Sequence, residues 1–398
     1  MRNMPKLLQI NVCSNVLSTG KICEDIAKVA IAHNWESFIA YGRMSKPSIS
    51  NEIRIGSKFY TYEHYIEHRL FDREGLASRL ATHLLIKQID RIKPDIIHLH
   101  NIHDHYLNYP ILFRYLSQID IPVVWTQHDC WAFTGGCMYF DMLGCEQWKS
   151  GCKTCTEHRA LFWNMAEVQF LKKKLLFDSV KNITFVAVSD WMHNLLEKSV
   201  QRHRPVKTIH NGIDLSIFRN VASSNAKLNT KFKILGVASV WDRRKGLDDF
   251  IRLSSLLPDG FEIVLVGLSK KQIANLPKGI VGLERTLNVE HLVRLYSEAD
   301  VFVNPTYSDN FPTTNIEALA CGTPVITYRT GGSPEAVDDN TGIVVEQGDV
   351  EALASAIKVI CQKGKETYSK LCRERAVKHF GKEDRYEDYI TLYEDLLK

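Results

Sequence analysis

Short runs of β-branched and aliphatic residues alternate with helix-length segments along almost the whole chain, and the rhythm occurs twice. The first series has strand-like runs at Leu7–Val12, Phe38–Tyr41, Ile96–Leu99, Val123–Thr126 and Thr184–Val188, with helical stretches such as Leu76–Ile92 and Leu161–Val180 between them. The second has Phe232–Val237, Glu262–Val266, Val301–Asn304 and Val325–Thr327. Alternating β and α elements imply right-handed crossovers and parallel sheets covered by helices on both faces. A chain of 398 residues has room for two such domains. The expected architecture is therefore α/β, with two doubly wound, Rossmann-like domains facing across a cleft. Residues 1–205 form the first and 206–381 the second, with a boundary near Arg204-Pro205 and a polar linker or exposed loop at Val221–Lys231. Tyr386, Tyr389, Ile390, Leu392, Tyr393 and Leu396 recur at helical spacing, so residues 382–398 are expected to form a helix that crosses back to the first domain.

Mean hydropathy is −0.17, and no uninterrupted apolar run approaches the roughly 18 residues of a membrane span. The opening apolar run meets Cys13-Ser14-Asn15 too soon for a signal peptide and reads as a first buried strand. The expected compartment is a reducing cytoplasm, with peripheral contact on the inner face of the plasma membrane as an extension of that reading. Up to Lys207 there are 26 Lys and Arg against 20 Asp and Glu, leaving 24 against 26 in the remainder. A basic first half suits an anionic partner, either a membrane surface or a phosphate-bearing acceptor, although charges solvated on helix faces explain it equally well. No basic stripe interleaved with aromatics points to nucleic acid. The stretch Gln169–Phe177, with Lys172, Lys173 and Lys174, reads either as an amphipathic helix on an anionic membrane or as a helix packing its Leu and Phe face onto the sheet.

In open parallel sheets ligands bind beyond the carboxyl ends of the strands. In the second half, Arg243-Arg244-Lys245-Gly246 follows a strand and opens a helix, where cations, free N–H groups and the helix dipole suit a diphosphate. Asp309 and Glu317 bracket the next such loop, Asn310-Phe311-Pro312-Thr313, and can reach different hydroxyls of one ligand. Thr330-Gly331-Gly332-Ser333 then lets backbone approach closely. In the first half, Gly20 stands in a strand–helix turn. His98, His100, Asn101, His103 and His105 cluster at a strand end, open to cleft-lining, structural or metal-binding roles, and His128-Asp129 ends another strand. Cys137, Cys145, Cys152 and Cys155 fall within one short Gly-containing segment, which leaves a structural zinc, disulfide-capable pairs or unlinked thiols open.

These motifs together resemble the family 4, group 1 retaining glycosyltransferases of GT-B fold. The family signature of two acidic residues seven apart, followed by Ala-x-Ala-x-Gly-x-Pro-Val, is similar to Asp309, Glu317 and Ala318-Leu319-Ala320-Cys321-Gly322-Thr323-Pro324-Val325. Lys245-Gly246 and the segment Asn211-Gly212-Ile213-Asp214 match as well, while Gly20 is all that stands of the family's Gly-Gly loop. The segment from His128 to Gly135 resembles an insertion in a capsule and exopolysaccharide branch that includes colanic-acid-type transferases.

The resemblance implies a nucleoside diphosphate sugar donor on the second domain. Arg243 or Arg244 and Lys245 would take its diphosphate, with Asn310, Phe311, Pro312 and Thr313 lining the donor, Glu317 on the ribose and Asp309 near the transferred sugar. His128, Asp309 and Glu317 are the implied catalytic set. Gly20, His100, Asn101 and Asp129 would line the side of a lipid-linked or oligosaccharide acceptor. No metal ion is implied for the transfer itself. The same fold also allows a sugar-nucleotide epimerase, a phosphorylase or a non-catalytic glycan-binding scaffold, whereas a nicotinamide dehydrogenase would show Gly-x-Gly-x-x-Gly after the first strand.

Overall fold

The computed structural model describes residues 4–153, 155, 160–221 and 231–398. Most of the tract Val221–Lys231 and part of the four-cysteine segment lie outside the described residues. The chain divides into two compact units, Met1–Ile209 with Arg385–Lys398, and His210–Asp384.

The first unit runs β1 (Lys6–Ser14), α1 (Leu17–Ala32), β2 (Glu36–Ser45), β3 (Asn51–Arg54), α2 (Lys58–Phe71), α3 (Arg79–Ile92), β4 (Ile96–Leu99), α4 (Tyr109–Leu116), β5 (Val123–Gln127), α5 (Ala166–Ser179), β6 (Ile183–Ala187), α6 (Asp190–Lys198) and β7 (Val206–Thr208). Its seven strands pair in parallel in the order β3-β2-β1-β4-β5-β6-β7. The second unit runs β8 (Phe232–Val237), α7 (Leu247–Leu256), β9 (Phe261–Val266), α8 (Lys270–Ala274), β10 (Ile280–Leu283), α9 (Val289–Glu298), β11 (Val301–Asn304), α10 (Thr313–Ala320), β12 (Val325–Tyr328), β13 (Gly342–Val345), α11 (Val350–Lys363) and α12 (Lys365–Phe380), and the helix α13 (Lys382–Leu396) follows. Its six strands are also parallel, in the order β10-β9-β8-β11-β12-β13.

Strand order reverses between β1 and β4 in the first sheet and between β8 and β11 in the second. Those are the switch points at which the loops of a doubly wound sheet diverge and leave a crevice. Central strands such as β4, β5, β6, β11 and β12 are buried along their whole length, as strands covered on both faces must be. The four strands the apolar runs did not announce, β3, β7, β10 and β13, are the four sheet edges, and β3 is almost wholly exposed. The helix expected over Leu161–Val180 begins only at Ala166. Leu161 and Phe162 instead donate backbone N–H bonds to Arg69 and Leu70 at the end of α2, and Asn164 Oδ1 accepts the Ala166 N–H.

From Arg385 onward α13 belongs to the first unit. Tyr386, Tyr389, Ile390 and Tyr393 are buried with Leu7, Ile22, Ile26, Ile96 and Val124 in one core cluster. Two tyrosine hydroxyls tie the helix to the sheet: Tyr389 meets Thr126 Oγ1 at 3.1 Å and Tyr393 meets His98 Nδ1 at 2.6 Å. His98 Nε2 is 2.8 Å from Thr126 Oγ1, so both ring nitrogens are satisfied in a site closed to solvent. Tyr393→Phe keeps the packing and orphans one buried histidine nitrogen. It is expected to lower the unfolding free energy by about 1–3 kcal/mol in urea denaturation, with the transition still cooperative.

Candidate functional site

The first unit places its polar groups where β1, β4 and β5 end. Gly20 lies in α1, where a Cβ would sit 3.0 Å from Cys13 Sγ, and its carbonyl accepts the Asn15 N–H at 3.1 Å. Its smallness lets the helix close onto the end of β1. Asn11 on β1 accepts the Asn101 N–H at 3.3 Å across the switch point, so Asn101 is held through its backbone.

His98 of β4 and His100, the residue just beyond its end, have ring centroids 4.0 Å apart. A directed chain of hydrogen bonds runs outward from the core. Gln9 Nε2 donates to the Cys23 carbonyl at 2.8 Å, which turns Gln9 Oε1 toward His100 Nε2 at 3.1 Å. His100 Nε2 therefore carries a proton, and its Nδ1, 3.0 Å from His128 Nε2, accepts one. This leaves His128 Nδ1 as a lone pair with no partner among the described residues. Burial holds His128 down to about 4, partly opposed by Asp129, so the ring is neutral at pH 7. His128 is thus held as an oriented, neutral imidazole.

Its neighbour has the opposite charge state. His103 Nε2 lies 2.8 Å from Asp129 Oδ2, and the other Asp129 oxygen accepts the Trp131 N–H at 2.9 Å. Burial works against the His103 charge, but the Asp129 carboxylate overrides it and raises His103 to about 9. His103 Nδ1 is buried without a partner among the described residues. His100, Asn101, His103, His128 and Asp129 line one small cavity of about 10 Å³, room for about one water.

Two residues beneath this site escaped sequence reasoning. Lys173 of α5 is buried, donates to the carbonyls of Trp131 at 2.7 Å and Thr134 at 3.3 Å, and lies 3.5 Å from the centre of the Trp131 ring. Burial lowers its ammonium to about 7. Glu74 accepts Trp131 Nε1–H and the Asp104 N–H, both at 3.3 Å. A lysine inside Lys172-Lys173-Lys174 looks like any surface lysine in sequence; only α5 phase, with Phe170 and Phe177 buried beside it, turns it inward. The same phase leaves Leu171 and Leu175 exposed, while Leu176 packs half-buried against the core cluster that holds the two phenylalanines.

The four cysteines flank the same core. Cys152 is buried and its sulfur accepts the Gly135 N–H at 3.2 Å, while Cys137, Cys145 and Cys155 pack half-buried against that cluster. Among the described residues they do not bring three sulfurs within 4.8 Å of one another; of the four clustered histidines, His105 joins such a group, with His68 and Glu74.

In the second unit the decisive pair spans the switch point. A 3₁₀ turn, Arg243–Lys245, follows β8, capped by Asp242 accepting the Lys245 N–H at 3.1 Å. Lys245 Nζ forms an ion pair with Asp309 Oδ2, from the loop after β11. Arg244 donates to the Ser308 carbonyl at 3.0 Å and its own carbonyl accepts the Tyr307 N–H at 2.7 Å, so it fastens the two loops together. Arg243, next to it, is exposed. Gly331, at φ +54°, lies against the Asp309 carbonyl, where a Cβ would come within 1.9 Å; only glycine lets that loop support Asp309.

Phe311 is buried against His210 and Phe380, and its carbonyl accepts from Asn211 at 3.3 Å. With Asn310 also buried, these two anchor the loop, while Thr313 opens α10 after Pro312 and presents the helix N-terminus. Glu317, one turn on, accepts the Tyr296 hydroxyl at 2.9 Å. Asn315 binds Asn304 at 2.8 Å and Ser333 at 3.0 Å, and Thr327 meets Ser333 at 2.6 Å. This buried network fixes α10 to the ends of β11 and β12.

Residues 231–363 match the family Glycosyl transferases group 1, and residues 23–217 match Glycosyltransferase Family 4. The chain belongs to the family 4, group 1 glycosyltransferases. It is 24% identical over 412 residues to the colanic acid biosynthesis glycosyl transferase WcaC of Escherichia coli, covering 98% of this chain and 100% of that one. A D-inositol 3-phosphate glycosyltransferase of Mycobacterium is 31% identical over 44% of this chain and 42% of its own length. The fold is GT-B: sucrose-phosphate synthase of Thermosynechococcus elongatus superposes with a TM-score of 0.75 over 98% of this chain and 99% of that one at 20% identity. Anabaena HepE in complex with UDP gives 0.68 over 98% and 100% at 15%.

The pH dependence of stability separates the two first-unit histidines. The raised His103 contributes stability that is complete below its unfolded value near 6.5 and is lost as pH rises through about 9. The lowered His128 acts in the other window, its neutral form costing stability as pH falls from about 6.5 to 4. Asp129→Asn should remove the alkaline limb, because burial then leaves His103 neutral, and cost about 2–3 kcal/mol at pH 7, as read by denaturant unfolding at a series of pH values.

Proposed function

We propose that this glycosyltransferase moves a sugar, with retention of configuration and without a metal ion, from a nucleoside diphosphate donor to a lipid-linked or oligosaccharide glycan acceptor during bacterial surface polysaccharide synthesis. The observation that carries the reading is the Lys245–Asp309 pair across the β8/β11 switch point, with Glu317 on the helix that follows. The full-length likeness to a colanic acid transferase and the UDP-glucose bound by HepE support the donor and pathway classes.

In this reading Arg243 and Lys245 hold the diphosphate, aided by the N–H groups that open α10, and Glu317 holds the ribose. As the bond between the anomeric carbon and the diphosphate oxygen breaks, negative charge grows on the leaving group, and fixed cations lower that barrier. The acceptor oxygen bonds to the anomeric carbon on the face the diphosphate leaves. Its proton passes to the departing phosphate oxygen, with neutral His128 orienting the sugar. Asp309 holds the Lys245 ammonium in place until the donor arrives. The enzyme would work at the cytoplasmic face of the membrane, where a lipid-linked acceptor is presented.

Glu317→Ala should abolish the thermal stabilisation given by the one sugar nucleotide, among UDP-, GDP- and ADP-sugars, that stabilises the wild type. Lys245→Ala should lower kcat by about 10²–10³. A folded wild type that no donor stabilises would favour the scaffold reading.

A structural zinc on Cys137, Cys145, Cys152 and Cys155 belongs to the same proposal. Its support is four thiol donors against one core cluster, and a bound ion would have to draw the sulfurs together. Metal analysis should find one zinc per chain, lost in Cys152→Ser together with several degrees of Tm; a metal-free wild type would overturn it.

A further inference from the structure

Beside the strand-end cavity, the first unit brings two imidazoles and a carboxylate together from three places in the chain. His68 stands in the last turn of α2, Glu74 in the segment that follows that helix, and His105 in the loop after β4. One donor atom from each lies within 4.8 Å of the other two. His68 Nδ1 and His105 Nε2 face each other at 2.7 Å. The two side chains keep 24% and 13% of their exposure, so an ion in solution can reach them.

The outer nitrogen of each ring is turned toward a carboxylate. His105 Nδ1 is 3.2 Å from Asp104 Oδ1, and the other Asp104 oxygen accepts from Arg43 Nη1 at 2.6 Å. His68 Nε2 is 3.8 Å from Asp72 Oδ1, and the other Asp72 oxygen accepts the Met165 N–H at 2.7 Å. A carboxylate outside a ring draws the ring proton to that side and leaves the inner nitrogen as a lone pair, as in histidines that ligate metals. Two inner lone pairs 2.7 Å apart need a positive charge between them, and either a proton or a metal ion supplies it. Glu74 adds the anionic donor. Its oxygens accept the Asp104 N–H and Trp131 Nε1–H at 3.3 Å each, and an oxygen that accepts one N–H keeps a second lone-pair position.

Two imidazoles and one carboxylate form a known zinc ligand set with an open fourth position, and imidazole disfavours the hard magnesium and calcium ions. Zinc–nitrogen bonds of 2.0–2.1 Å would set the two nitrogens about 3.3 Å apart. The rings would have to part by about 0.6 Å, a small rotation for side chains that border solvent.

We propose that His68, Glu74 and His105 form an exchangeable site for a divalent cation of the zinc class, which clamps the end of α2 to the loop after β4. That loop also carries His103, and Glu74 also holds Trp131, two walls of the small strand-end cavity. The ion would hold those walls in place. The site shares no ligand with the four cysteines and does not depend on the transferase reading.

The test uses the untagged full chain, dialysed into metal-free buffer without a chelator. Calorimetric titration with zinc chloride should find one added site per chain, at least tenfold weaker in His68→Gln and in Glu74→Gln. Zinc should raise Tm by several degrees in the wild type and leave both variants unshifted. Cobalt(II) added to Cys152→Ser should give visible d–d bands of nitrogen and oxygen ligation. A sulfur-to-cobalt charge-transfer band in their place would put the ion on the remaining cysteines and overturn the site. A wild type that takes up no added zinc, or an isotherm that neither variant alters, would overturn it as well. Circular dichroism and cooperative unfolding of the metal-free variants establish that they fold. The two substitutions lie on different segments, so either one that folds decides the outcome.

Discussion

Parallel pairing forces every loop that follows a strand to leave its sheet at the same edge. Both sheets of this chain are parallel throughout, and each reverses its order once, between β1 and β4 and between β8 and β11. At those reversals the connections leave toward opposite faces of the sheet and open a crevice, which polar groups then bridge. Asn11 reaches Asn101 across the first reversal, and Lys245 reaches Asp309 across the second. Each pair is far apart in sequence and adjacent only because of strand order. The chemistry of both units is a consequence of that backbone constraint.

Buried polar groups then fix what the crevices offer. In the first unit a chain from Cys23 through Gln9 and His100 to His128 has a single direction, set by an amide whose nitrogen is already committed. It presents a neutral ring, while one residue along the chain Asp129 stabilises a charged His103. Two imidazoles lining the same small cavity are driven to opposite protonation states by burial in one case and by a carboxylate in the other. In the second unit the corresponding work is done by Asn304, Asn315, Thr327 and Ser333, which fasten α10 and so set where Glu317 stands. Such networks are costly when incomplete, and in the first unit His128 Nδ1 and the buried His103 Nδ1 are left without a partner among the described residues.

The first unit carries more charge than the strand-end site uses. Arg73 is paired with Glu67, whereas Arg79, Arg114 and Lys172, on α3, α4 and α5, form no ion pair with a described residue.

The strand and helix rhythm, the two-domain α/β class and the acidic pair Asp309 and Glu317 were legible from sequence because each leaves a local signal: buried central strands are continuous apolar runs, and a motif keeps its spacing. The edge strands β3, β7, β10 and β13 left none, since a strand paired on one side can be polar and exposed. Nor could the sequence separate Arg243 from Arg244, or Lys173 from its neighbours. Adjacent cations are chemically alike until the fold turns one toward the Ser308 carbonyl, one toward solvent and one over the Trp131 ring. What the sequence by itself determined was therefore the residue types available at each strand end. The tertiary structure alone decided which were aimed outward and in which charge state, because aim and protonation depend on partners brought together across 28 residues for His100 and His128 and 64 for Lys245 and Asp309.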